Sequence, residues 1–246
     1  SIVPLILKNT FRLGETITGA IMAMDNILAL FLLPLFGAFS DRVDTRFGKR
    51  TPFIVLGTIA AVIFMMLIPI ADNTVNFPLF FIALGMTLLA MGTYRSPAVA
   101  LMPDLTPKPL RSKANAVINL MGAVGYIFAL AAIRLLVKKE INPDYTIVFA
   151  VIAFLMVLSV AILVATISEK KLAAQIAEEF PADEEKENGV NTGALPRDVR
   201  KSLVFLLASI FLWFTAYNAV TTAYSRYAGE VWGLHGGSFA DSLMIA

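Results

Sequence analysis

The segment from Gly37 to Pro52 constrains the fold more than any other. Asp41, Arg42, Asp44, Arg46, Lys49 and Arg50 fall within ten positions, enclosed by two long apolar runs, Thr16–Phe39 and Pro52–Ala71. Each run can cross a bilayer, which takes about 20 mostly apolar residues. The charges between them must stand in water or among headgroups, because a charge at mid-membrane costs about 2.5–3.5 kcal/mol on insertion scales. The segment therefore reads as the turn of a transmembrane hairpin. Its arginine and lysine excess assigns it to the cytoplasmic side.

The same pattern repeats along the chain. Pro78–Met102, Ser112–Val137, Tyr145–Ile167 and Lys201–Tyr224 are four further spanning windows. Ser1–Leu7 reads as the tail of an earlier helix and Ser238–Ala246 as the start of a later one, so the chain is expected to be a piece of a longer protein. Hydrophobic residues are 58% and charged residues 15%, against roughly 45–50% and about 25% in soluble domains. The expected fold class is an all-α polytopic membrane protein. A net charge of +2 leaves no nucleic-acid footprint. The lack of cysteine removes disulfides and thiolate metal sites, and the single His235 cannot supply a histidine cluster. No enzyme, metal or organic cofactor is expected.

Between Ser168 and Asp198 lies the one long polar segment, with Glu178, Glu179, Asp183, Glu184, Glu185 and Glu187, then Asn188-Gly189 and Thr192-Gly193. Lys170–Phe180 has the pattern of an amphipathic surface helix, and the rest has linker composition. The expected organisation is a transmembrane bundle over 1–167, a cytoplasmic central linker over 168–199, and the first helix of a second bundle with the start of the next over 200–246. That layout suits a transporter built from two parallel six-helix halves. Thirteen lysines and arginines fall on the side of the charged turn, in the Arg42–Arg50, Lys108–Lys113 and Lys170–Lys201 segments. Lys8, Arg12, Lys138, Lys139 and Arg226 fall on the other. The first side is expected to be cytoplasmic, in a multi-pass cell (inner) membrane protein.

Intramembrane charge is a functional signal by default. Asp25, with Asn26 beside it, lies 16 residues before Asp41, roughly 24 Å above the charged turn at 1.5 Å per residue. It is a candidate carboxylate for a coupling proton or sodium, or for a sugar hydroxyl; a structural ion pair is the competing reading. Arg95, in Thr93-Tyr94-Arg95-Ser96-Pro97, lies nine residues before Asp104, roughly 13 Å from the same surface. Pro97 is expected to kink the helix there. Arg95 is a candidate clamp, or half of an inner-gate ion pair. Arg134 is near enough to a helix end to snorkel. Asn115, Asn119, Gly122 and Tyr126 form one helical stripe, as do Trp213, Tyr217 and Thr221, with Asn218 beside them. Aromatic faces with amides and hydroxyls suit a sugar site, although ordinary packing explains the glycines and serves equally for Trp213.

Gly37-x-x-x-Asp41-Arg42, followed by Arg46-x-Gly48-Lys49-Arg50-x-Pro52, resembles the signature of the major facilitator superfamily. Its extended form is similar to that of the glycoside–pentoside–hexuronide cation symporters and sucrose transporters. Arg95–Leu105, followed by Arg111-Ser112-Lys113-Ala114-Asn115, is similar to a second segment of the sucrose-type branch. The resemblance implies a twelve-helix protein, a missing C-terminal half, and transport by alternating access. It implies a cytoplasmic gate in which Asp41 latches the outward-facing state, with Arg42, Arg46 and Arg50 as its cationic part. Gly37 and Gly48 would permit close packing and the turn, and Asp104 and Arg111 would form a weaker second copy. It also implies that Asp25 is a cation-site carboxylate. Melibiose-type symporters often carry a second carboxylate one turn on; here that position is Ala29, which favours a proton over sodium. The resulting expectation is proton-coupled symport of a sucrose- or maltose-like sugar. Its rivals are a non-transporting scaffold or pigment-assembly factor and a drug or lipid exporter. The expected partners are the sugar, the coupling cation, the lipid bilayer and the remaining half of the protein.

Overall fold

The structure, a computed structural model, describes residues 2–43, 45–138, 143–179 and 197–233. Asp44, Lys139, the acidic run Asp183–Glu187, both glycine turns beyond it, His235 and Ser238–Ala246 lie outside the described residues, as do the side chains of Asp25 and Arg226. The described elements are the helices α1 (Val3–Asn9), α2 (Glu15–Arg42), α3 (Thr51–Asn73), α4 (Phe77–Asp104), α5 (Arg111–Leu136), α6 (Thr146–Thr166), α7 (Glu169–Glu179) and α8 (Arg197–Trp232), with a 3-10 turn over Lys108–Leu110. Among the described residues there is no sheet; an isolated bridge joins Thr45 to Gly48. Six helices, α2 to α6 and α8, are long and apolar enough to cross a membrane. In lipid a spanning segment must satisfy its own backbone, which a helix does. Apolar side chains such as Leu30, Phe31, Leu56, Ile82 and Phe205 project from the bundle, as suits an apolar solvent.

The helices outrun the windows that hydropathy marks, because ends are set by hydrogen bonding and backbone geometry. The α2 helix runs on through Asp41 and Arg42 until Val43 turns extended at φ −96° and ψ 124°. The α3 helix takes in Asp72, which is buried at its end and accepts a 2.5 Å hydrogen bond from the Thr10 hydroxyl just after α1. The α4 helix starts on an Asn76 cap that accepts from the Leu79 amide at 3.1 Å, and it stays helical through Pro97. A helix does follow the last window of the first bundle, as the amphipathic pattern predicts, and it is α7.

The best-buried apolar cluster gathers at the end remote from the charged turn. It joins Ile6 and Leu7 of α1, Ile21 of α2, Ile68 of α3, Phe80 and Leu84 of α4 and Val148 of α6. Phe11 stacks obliquely on Phe80 at 5.0 Å and meets Phe77 edge-on at 5.3 Å. Within the bundle α3 and α4 pack most extensively; α2 lies on α4 and α6 on α3, while α5 touches its neighbours sparingly. A Cβ on Gly37 would come within 2.9 Å of the Ser96 hydroxyl, so this glycine allows α2 to approach α4. That contact sets the ends of α2 and α4 side by side at the charged end.

Candidate functional site

Three helix ends meet at the charged turn: the last turn of α2, the first of α3 and the last of α4. Arg50, just before α3, is buried where they meet. Its guanidinium donates to Asp41 of α2 at 2.5 Å and to Asp104 of α4 at 2.9 Å. It also donates to the Ser40 hydroxyl and, at 3.5 Å, to the Gly37 carbonyl. A planar, five-donor group can make these contacts at once, which the single ammonium of lysine cannot. Arg50 is 9% exposed at its side chain, whereas Asp41 and Asp104 are 60% and 46% exposed. The cation is thus held inside the hub while both acids keep an edge toward solvent.

The turn that delivers Arg50 depends on Gly48, whose φ of +115° is a conformation L side chains rarely adopt. A Cβ there would also fall 2.2 Å from the Glu169 carboxylate. Glu169, the first residue of α7, is buried against the start of α3. Its carboxylate accepts from the backbone amides of Lys49 (2.7 Å), Arg50 (3.1 Å) and Thr51 (3.0 Å) and from the Thr51 hydroxyl (2.8 Å). Arg50 offers α3 no side-chain cap, so α7 supplies from outside the acceptor that a helix start requires. Burial alone would push the Glu169 carboxyl up, but these hydrogen bonds outweigh it and hold the group below its ordinary value.

Asp41, Gly48, Arg50, Asp104, Arg111 and Glu169 line one cavity of about 720 Å³ at this end. Arg111 binds carbonyls, those of Pro103 at 3.0 Å and Thr106 at 3.3 Å, and so ties the α4–α5 turn. Arg42 and Arg46 are exposed, and among the described residues the ion pairs of the hub converge on Arg50. Glu169 is the member that sequence reasoning missed. Its signal was indirect: α3 begins Arg50-Thr51-Pro52, with no Ser, Asp or Asn cap of its own.

The intramembrane candidates are more dispersed. Asp25 and Asn26 lie in the half of α2 remote from the hub. Arg95 of α4 is exposed and lines a small cavity against α2 with Leu28, Ala29, Leu32 and Gly92. Asn115, Asn119 and Tyr126 lie on an exposed face of α5. On α8 the rings of Trp213 and Tyr217 stack at 5.8 Å and 18°. A separate cavity, of about 530 Å³, opens between α1, α2 and α8 and brings together Asn26 and Asn218. Among the described residues no group of three or more acidic or histidine side chains could hold a metal ion.

Six spanning helices among the described residues, with α2, α3 and α4 brought close at Gly37, Gly57 and Gly92 and a charged hub tying the ends of those three, define a polytopic helical membrane protein of transporter type. A sequence profile of the Major Facilitator Superfamily matches residues 1–246, and the chain belongs to that superfamily. The chain is 27% identical over 142 residues to the sucrose transport protein SUC3 of Arabidopsis thaliana, a match covering 50% of this chain and 24% of that protein. The chain thus accounts for about a quarter of that relative's length. No solved structure matches it.

Proposed function

We propose that this chain is the first bundle, central linker and opening of the second bundle of a proton-coupled symporter for a sucrose- or maltose-like sugar. The observation that carries the reading is the Arg50 hub. It gathers Asp41 and Asp104 from two helices onto one buried cation and leaves an edge of each acid exposed. Those edges are what the ends of a second bundle would contact in one state of an alternating-access cycle and release in the other. The likeness to a plant sucrose transport protein supports a sugar as cargo. The charged end is then cytoplasmic, in keeping with its thirteen lysines and arginines.

Asp25 is the proposed coupling group. A carboxylate in the membrane half remote from the hub takes up a proton from the outer side, and neutralisation lowers the cost of reorienting the cavity. Arg95, one turn below Gly92 on the facing helix, is the proposed clamp on cargo or gate; Asn115, Asn119, Trp213 and Tyr217 supply the polar and aromatic lining. Ala29, on the wall of the small Arg95 cavity, leaves no second carboxylate for sodium. The test is uptake of labelled sucrose or maltose into vesicles that contain the complete transporter, with an imposed proton gradient. Asp25→Asn should abolish uphill uptake while leaving sugar exchange between vesicles and bath. Uphill, proton-driven uptake at the normal rate in Asp25→Asn would remove the coupling role.

A further inference from the structure

We propose that Lys8 is a cation exchanged between two partners as the bundles move. Paired with Glu230 of α8 it holds together the ends remote from the hub; when those ends part it stays with Glu15 of its own bundle. Lys8 stands in the last turn of α1 and Glu15 in the first turn of α2. The Lys8 ammonium forms an ion pair with Glu230 and a longer one, at 3.9 Å, with Glu15. The inference rests on the alternating-access part of the proposed function, with α8 as the first helix of the second bundle. It takes nothing from the identity of the cargo or of the coupling ion.

The α8 helix meets the first bundle toward one end. Residues 199–220 are exposed, whereas Ala228, two positions before Glu230, is fully buried, and α8 packs chiefly on α1. In alternating access the ends of two rocking bundles meet on one side at a time. A contact remote from the hub therefore belongs to the state that is open at the charged end. That state is the opposite of the one that the Asp41 latch favours.

Glu15 moves with Lys8. The link between α1 and α2 folds back on α1: the Phe11 amide donates to the Ile6 carbonyl at 3.3 Å and the Leu13 amide to the Leu7 carbonyl at 3.0 Å. The Thr10 hydroxyl, bonded to Asp72, fastens the same link to α3. None of these bonds involves α8, so its departure leaves Glu15 within reach. A cation at the end of α1 and an acid at the start of α2 are also each favoured by their own helix dipole.

Attraction between charges falls with distance, so Glu230 holds the larger share of the ammonium while it is there. Lys8 is 34% exposed, and Glu15 and Glu230 are 66% and 60% exposed. Water screens such pairs, which makes them weak enough to break in every cycle. Because Glu15 remains, the ammonium keeps a partner in both states, and opening strands no charge.

The test uses the complete transporter in lipid nanodiscs, with background cysteines removed. Nitroxide labels are placed on Val75→Cys in the α3–α4 turn and Trp232→Cys at the end of α8, both exposed in the wild type. Spin-echo distance distributions then resolve a short component, with these ends together, from a long one, with them apart. Lys8→Gln and Glu230→Gln should each raise the ratio of long to short about two- to fivefold, the range of an exposed ion pair. Glu15→Gln should lower it, because the parted state depends on that partner more. In the Lys8→Gln background Glu15→Gln should have no further effect. All variants should melt close to the wild type, since the three groups reach water. An unchanged ratio in Glu230→Gln, a ratio that rises in Glu15→Gln, an effect of Glu15→Gln that persists without Lys8, or shifts accompanied by a large fall in melting temperature each overturn the exchange. The expected shifts in a protein without uphill sugar uptake keep the exchange and remove the symport reading. A single distance in the wild type and in every variant removes alternating access and the exchange with it.

Discussion

Arg50 and its two acids differ in what they leave behind when one side is removed. The guanidinium is 9% exposed, but Asp41 and Asp104 are 60% and 46% exposed. Replacing Arg50 by Met leaves two carboxylates that water can reach. Replacing both acids by Asn leaves a buried cation with neutral acceptors alone, the two Asn amide oxygens, the Ser40 hydroxyl and the Gly37 carbonyl. Stranding a buried charge is the costlier defect, at about 3–5 kcal/mol in fully buried cases, and part of that remains here because one face of the hub is open. Thermal melting in detergent should therefore rank wild type above Arg50→Met, and Arg50→Met above Asp41→Asn/Asp104→Asn. The reverse order would mean that the acids, not the arginine, are the desolvated members. Arg50→Lys should fall between wild type and Met, since an ammonium keeps the charge but loses the fork.

At the scale of the element, two helices begin on carboxylates that are not their own cap residues. Glu169 of α7 holds the start of α3. Asp144 holds the start of α6 through the Thr146 amide (2.9 Å) and hydroxyl (2.6 Å), and reaches the Asn73 amide of α3 at 3.2 Å. Hydrogen bonds from Thr146 hold the Asp144 carboxyl below its ordinary value. Both groups lie lower when folded than unfolded. Their contribution is complete above the ordinary carboxylate range and is lost as pH falls through the folded values. The protection of the Lys49–Thr51 amides, measured against their intrinsic exchange rate at each pH, should therefore fall on acidification below that range. In Glu169→Gln that protection should already be low at neutral pH and vary little with acid, with a stability loss of about 1–3 kcal/mol. Protection at Lys49–Thr51 that persists in Glu169→Gln would show that α7 is not the cap.

These elements also show what the sequence exposes and what it hides. Six spanning helices and the charged hairpin turn were legible, because apolar length and charge placement act locally along the chain. Asp41, Gly48, Arg50 and Asp104 were legible as members of a charged end. Arg50's part as the centre of it was not, since Arg42, Arg46 and Arg50 look alike until the turn is folded and only one is carried inside. Glu169 was hidden for a similar reason: the amides that donate to it lie about 120 positions away along the chain, at residues 49 to 51. Asp72 was placed just past a helix that hydropathy ends at Ala71, whereas hydrogen bonding carries α3 to Asn73.

At the scale of the whole molecule, the hub's bonds all lie inside one bundle, so they do not by themselves distinguish two states of an alternating-access cycle. A rocking motion that leaves the bundle rigid leaves Arg50 where it is. What can differ between states is contact with the exposed edges of Asp41 and Asp104, and Arg50 fixes where those edges point. The proposed latch is therefore an oriented pair of carboxylates with a cation behind them. In the complete transporter, Asp41→Asn should shift the population toward the inward-facing state while barely loosening the bundle, because Asp104 still holds Arg50. A shift of about 1.4 kcal/mol is tenfold in population. The chain contains no cysteine, so a single Asn115→Cys on the exposed face of α5 near the charged end can report the change. Once background cysteines elsewhere in the protein are removed, its modification by a maleimide supplied from the cytoplasmic side should speed up several-fold in Asp41→Asn, with the melting temperature nearly unchanged. Equal labelling rates would confine Asp41 to a structural role in the hub. Faster labelling with a large loss of melting temperature would point to a loosened bundle in place of a displaced equilibrium.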